Sequence, residues 1–183
     1  MSTISNWFSP TVIFQDYTDS PPYTSWKGDN GGLTFPLSLT KDLSHYANSG
    51  GPGPAMTDIR NKTTLLTFTG FNLPLCQGTI TGIELRLDIQ RNGRVADSDI
   101  FLSYQGGNLG ATQVDYSQDL EGHLIKFNLN NYGGDGNNWG AELTPEIVAD
   151  PSFGINLRLQ SHPFVPHKCG CRIYGMALRY YYA

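Results

Sequence analysis

Beyond residue 60, apolar side chains recur at every second position. In "GIELRLDIQRNG" Ile83, Leu85, Leu87 and Ile89 fall on one face and Glu84, Arg86, Asp88 and Gln90 on the other, the alternation of a strand with one face buried. Asn92-Gly93 then supplies a turn pair that sends the chain back. "FGINLRLQ" repeats the pattern, with Phe153, Ile155, Leu157 and Leu159 opposed to Asn156, Arg158 and Gln160. At the end of the chain Tyr174, Met176, Leu178, Tyr180 and Tyr182 alternate with Arg172, Gly175, Ala177 and Arg179. That phase puts Tyr180 and Tyr182 in the core and leaves Tyr181 outward. Shorter candidates lie at 63–70, 98–105 and 122–129. Short strands separated by Gly, Asn and Asp turns, with no sustained helical spacing, predict an all-β fold: an antiparallel, jelly-roll-like sandwich.

Residues 1–60 lack this periodicity. Pro10, Pro21, Pro22, Pro36, Pro52 and Pro54 and the run "SGGPGP" interrupt any ladder, while Trp7, Phe8, Phe14, Tyr17, Tyr23, Trp26 and Phe35 need surfaces to bury against. The chain therefore divides into an extended Pro/Gly/aromatic-rich N-terminal arm, 1–60, and a sandwich, 61–183. Two destinations are open to the arm. It packs on its own sandwich as extra edge strands, for which "TVIF" at 11–14 is a candidate, or it buries its aromatics against a partner subunit. Removal of residues 1–30 is expected to leave the sandwich folded.

Composition narrows the function. A chain of 183 residues suits one domain with an appendage, and a fold of that size buries roughly 70% of its unfolded surface without metal or disulfide. Charged residues make up 15%, against about 25% in an average soluble domain, so the surface is easily covered by another protein. Lys and Arg total 12 against 16 acids, for a net charge of −4, which gives nucleic acid no basic footprint. No basic start followed by an apolar run and no long apolar stretch occurs, so neither a signal peptide nor a membrane span is expected and folding in a cytosol follows. In that compartment Cys76, Cys169 and Cys171 read as free thiols.

Two stretches carry candidate chemistry. "DGNNWGAELTPE" sets Asp135, Asn137, Gly140 and Glu146 at calcium-loop spacing, but Trp139 stands where a ligand oxygen is required, and the preceding "HLIKFNL" is strand-like, not helical. A corner explains more of it: Gly133, Gly134 and Gly136 permit turns, Trp139 is a plug, and Thr144 caps a single helical turn with Pro145 in its first position. "HPFVPHKCGC" gathers His162, His167, Cys169 and Cys171, the donor set of tetrahedral zinc, at spacings unlike the usual zinc knuckle. In a strand Cys169 and Cys171 share a side, and the plainer reading is two inert buried thiols. No nucleophile elbow, metalloprotease helix motif or phosphate loop is present. No catalytic residue, metal or cofactor is therefore assigned. His45 and His123 receive no role.

The segments Leu66 to Phe71, "GTITGIEL" (78–85), Tyr132-Gly133, Trp139-Gly140, Thr144-Pro145, Asp150 to Gly154 and Tyr180 to Tyr182 occur in a distinctive order. In that order they resemble a β domain recurrent in tailed-bacteriophage virion proteins, over about 61–183. The resemblance implies a non-enzymatic structural protein, foremost a capsid decoration or cement protein that binds the outer head surface and stabilises neighbouring capsid subunits. Its implied partners are the major capsid protein and copies of itself as a homotrimer, its location the virion assembled in the host cytoplasm. Trp7, Phe8, Tyr23 and Trp26 are the expected capsid or subunit anchors, because large aromatics dominate binding energy at protein interfaces. The alternative is a tail, fibre or baseplate component whose sandwich binds carbohydrate through loops such as 105–110 and 131–140. Neither reading involves nucleic acid or membrane.

Overall fold

The structure is a computed structural model and describes residues 2–16, 55–59, 62–92, 95–114, 126–161 and 169–183. Within them the strands are β1 (Thr3–Ile4), β2 (Val12–Gln15), β3 (Ala55–Ile59), β4 (Leu66–Thr69), β5 (Ile80–Asn92), β6 (Val95–Tyr104), β7 (Gly107–Leu109), β8 (Lys126–Gly133), β9 (Gly154–Ser161) and β10 (Cys169–Tyr182). One short helix, α1 (Pro145–Ala149), interrupts them. The chain is all-β, with two antiparallel sheets. One has the order β1-β10-β5-β8, with β3 also on β10; the other has the order β2-β4-β9-β6-β7.

The pairing nests about a single turn. β6 pairs with β7, β5 with β8, β4 with β9 and β3 with β10, all antiparallel. The ladders β5·β10 and β6·β9 then join these pairs into sheets. The innermost turn is Gln105-Gly106, both at positive φ (50° and 81°), the two-residue geometry whose twist matches the strands it joins.

Alternation fixes the inner faces. Ile83, Leu85, Leu87 and Ile89 of β5 and Met176, Leu178 and Tyr180 of β10 belong to the same buried core as Leu66 and Phe68 of β4, Ile100 and Leu102 of β6, and Ile155, Leu157 and Leu159 of β9. Each fully buried side chain of this size contributes about 1.5–3 kcal/mol relative to exposure. Tyr180 is 3% exposed and Tyr181 lies on the outer side, bonded to Glu84. Besides a register shift at Tyr181/Tyr182 near its end, β10 departs from simple alternation where Ile173 gives way to Gly175. Its register to β5 shifts between Ile173 and Gly175, so that Ile173 enters the core where an unbroken period of two places Tyr174. A further shift, between Asp97 and Asp99 in β6, allows Asp97 and Ile100 both to be fully buried.

Asp97 is held by partners from the opposite sheet. Arg91 of β5 donates to Asp97 Oδ1 at 2.6 Å and the Tyr132 hydroxyl of β8 donates to Oδ2 at 2.8 Å. The group is buried, so its value lies in fixing how the sheets stack more than in net stability.

Residues 2–16 lie outside the nested pairs. β1 extends the first sheet along the end of β10, with Thr3 opposite Tyr182 and Ile4 opposite Tyr181. β2 extends the second along β4, with Val12 opposite Thr69 and Gln15 opposite Leu66. The candidate strand at 11–14 is thus β2, and the first part of the arm is a strap across one flank of the sandwich. Deleting residues 1–30 removes two strands and uncovers the edges of β10 and β4, so point substitutions are the cleaner probe of this segment.

Candidate functional site

The strap is built from short polar residues that satisfy its backbone and large apolar ones that hold it down. Ser5 N–H donates to Tyr180 O at 2.9 Å, and Ser5 Oγ accepts from Tyr180 N–H at 3.0 Å. Phe8 and Leu178 exchange both backbone bonds at 2.8 Å. Pro10 is buried at the crossing between sheets, where its missing N–H costs no ladder bond. Thr11 Oγ1 then donates to Gly70 O at 2.8 Å and Gln15 Nε2 to Thr64 Oγ1 at 2.6 Å.

Two of the four expected anchors are in this segment, and both engage their own chain. Phe8 packs against the hydrophobic core. The Trp7 ring lies under the Arg179 guanidinium, 4.3 Å from ring centroid to Cζ, with Arg86 Cζ at 5.9 Å. Arg179 is oriented at its edge by Glu84, whose Oε2 accepts from Nε at 2.8 Å, Nη2 at 2.7 Å and the Tyr181 hydroxyl at 2.6 Å. The carboxylate oxygen grips the edge of the guanidinium and leaves its faces to aromatic rings, Trp7 at 4.3 Å and Tyr181 at 5.6 Å from Cζ to centroid. Burial, reinforced by the bond to Glu84, pushes the Tyr181 hydroxyl above its ordinary range. It stays a protonated donor at neutral pH. Burial likewise raises Asp88, an effect that Arg86 opposes. Tyr23 and Trp26 lie outside the described residues.

The corner at 133–150 is held together by bonds within the chain. Trp139 is fully buried, and its Nε1 donates to Ile83 O at 3.0 Å. Its backbone is held at φ 59° by Asn137 Oδ1, which accepts its N–H at 2.9 Å, and by Ala111 N–H, which donates to its carbonyl at 2.6 Å. Asn137 Nδ2 donates to Gln113 Oε1 and Thr81 Oγ1 to Asp135 Oδ1, so both oxygen-bearing residues at the start of the calcium-like spacing take part in bonds within the chain. Thr144 caps α1 by accepting from Ile147 N–H at 3.3 Å, with Pro145 first in the helix. This hydroxyl also interacts with Glu146 and holds its carboxyl below the ordinary range. Asp150 is lowered by Ser152, whose hydroxyl and N–H both donate to Oδ1, at 2.7 and 2.8 Å.

Of the four metal candidates, Cys169 and Cys171 lie in β10 with backbone partners Ile59 and Met56, while His162 and His167 lie outside the described residues, as do His45 and His123. Among the described residues no group of three His, Cys, Asp or Glu is placed to hold a metal ion. The Cys76 thiol is pushed up by burial, which keeps it protonated and a poor nucleophile at neutral pH. The segment at 105–110 is the tight turn and β7 rather than an open loop, and residues 131–133 belong to β8.

Outward-facing apolar side chains were the feature that periodicity alone left unmarked. Ile4 is 45% exposed, Val12 52%, Phe14 60% and Leu75 63%, and the first three all belong to the strap. The signal was present in "TVIF", where a strand assignment puts Val12 and Phe14 on one face; which face meets solvent depends on β4 and is not encoded locally. No protein-family model matches the chain, and no curated protein matches it either. No helix is long and apolar enough to cross a membrane among the described residues.

Proposed function

We propose that this chain is a non-enzymatic structural protein of a tailed-bacteriophage virion, a jelly roll that decorates the outer head surface and bridges neighbouring capsid subunits. The jelly-roll reading is supported by the nested pairing, in which β3 to β10 behave as one long hairpin, bent at β6–β7 and rolled into two sheets. The observation that carries the virion reading is the ordered set of corner motifs. Trp139-Gly140, Thr144-Pro145 and Asp150 to Gly154, which resemble those of virion domains, are also the residues that plug, cap and turn the corner between β8 and β9.

In this reading the protein works by clamping. A subunit bound across two neighbours adds its binding free energy to the assembled shell and none to dissociated subunits, and many modest contacts repeated over a lattice suffice. Tyr23 and Trp26 are the proposed anchors to the major capsid protein, whereas Trp7 and Phe8 fasten the strap to its own subunit. The test is co-sedimentation with shells assembled from the capsid protein of the same phage genome. The protein is expected to pellet with intact shells and to raise their dissociation temperature. Protein that stays in the supernatant with intact shells contradicts the proposal.

A further inference from the structure

We propose that the β2 flank of the strap is the docking surface for a second copy of this chain, β2 lying antiparallel to β2 with Val12 and Phe14 of each copy packed against those of the other. This inference stands on the flank's own chemistry and not on the virion reading.

Three observations point there. First, β2 is the outermost strand of its sheet among the described strands, and "VIFQ" has none of the devices that keep sheet edges apart: no lysine, no proline, no inward charge and no register shift. Second, Val12 and Phe14, two residues apart, share one side and are 52% and 60% exposed. They lie next to Thr69 and Thr67 of β4 respectively, so the apolar pair continues onto uncharged neighbours. Third, charge selects the occupant. Residues 2–15 contain no Asp, Glu, Lys or Arg in a chain of net charge −4. Asp16 is the strap's one charged residue; two copies paired through residues 12–15 bring no charged side chain of β2 into opposition, whereas a partner recognised by charge finds little here to recognise. An antiparallel strand is also self-complementary about a two-fold axis, so one patch on each copy suffices.

The full-length protein, its Phe14→Lys and Val12→Lys variants and a Leu75→Lys control test the proposal by mass measurement during size exclusion across a concentration series. Wild type and Leu75→Lys are expected at the mass of two chains. Both strap variants are expected at the mass of one, because each places like charges across the two-fold axis. Near-UV circular dichroism and melting temperature close to wild type establish that the variants are folded; where Lys disturbs β2, Phe14→Thr keeps a strand-forming residue and is expected to weaken the dimer at least tenfold. A wild-type protein of single-chain mass at its highest soluble concentration overturns the proposal, as does a dimer that every folded β2 variant leaves intact.

Discussion

Trp139 is anchored at backbone and side chain together, which is how a bulky residue is kept at φ 59°, a conformation that costs on the order of 1–3 kcal/mol. Replacement by alanine is expected to lower unfolding free energy by about 3–5 kcal/mol, measured as a fall in the urea midpoint at unchanged slope. Two glycines separate conformation from contact. Gly106 (φ 81°) has open space where a side chain would begin, whereas a Cβ on Gly133 (φ 80°) meets Ile83 O and the Trp139 ring nitrogen. Gly106→Ala should therefore cost only the backbone penalty, roughly 1–2 kcal/mol, and Gly133→Ala distinctly more; equal losses in thermal melts would contradict the close approach. Tyr132→Phe leaves Asp97 Oδ2 without this buried donor and should cost about 1–3 kcal/mol. The plug role of Trp139 was legible in the sequence from its place in a glycine-rich corner. Its positive φ and its bond to Ile83 were not, because the first depends on Asn137 and Ala111 closing on its backbone and the second on a strand more than fifty residues away.

At the scale of elements, strands with alternating apolar positions were readable, including the four-residue β2 and β4 within the candidates 11–14 and 63–70, whereas β1, β3 and β7 were not. β5, β9 and β10 declare themselves through four or more alternating apolar positions, and α1 through Thr144 and Pro145. β1, β3 and β7 have no such run, and each exists because a neighbour offers an edge. The shift at Ile173/Gly175 was invisible for the same reason, since a period of two holds on either side of it. Charge makes one element respond to pH. Glu146 and Asp150 have folded pKa values below their ordinary ones, so their contribution is complete above the unfolded carboxylate range and is lost as pH falls through the folded values. Asp88 is raised, so acid relieves its cost instead. The amides of Ile147 and Ser152 should therefore lose protection in acid before those of β5 around Asp88, followed by amide exchange; the reverse order would contradict the assigned causes.

For the whole molecule, the strap decides how the sandwich meets its surroundings. One side of it is fastened inward through Phe8 and the Trp7–Arg179 stack, and its other side carries Ile4, Val12 and Phe14 outward. Trp7→Ala should release roughly 1 kcal/mol of local stability, speeding exchange of the Ser5 and Phe8 amides about fivefold while leaving core amides unchanged. The two-layer architecture was legible from alternation, whereas the strap was visible in sequence only as proline-punctuated chain with two possible destinations. Its pairing to β10 and β4 is long-range information that no local pattern contains. The most direct test of the proposed virion role is cryo-electron microscopy of tailed-phage particles purified from cells that produce this chain. The account predicts copies of the two-sheet domain at regular positions on the outer face of the head, each spanning a boundary between capsid subunits; heads whose outer surface carries no such density would contradict it.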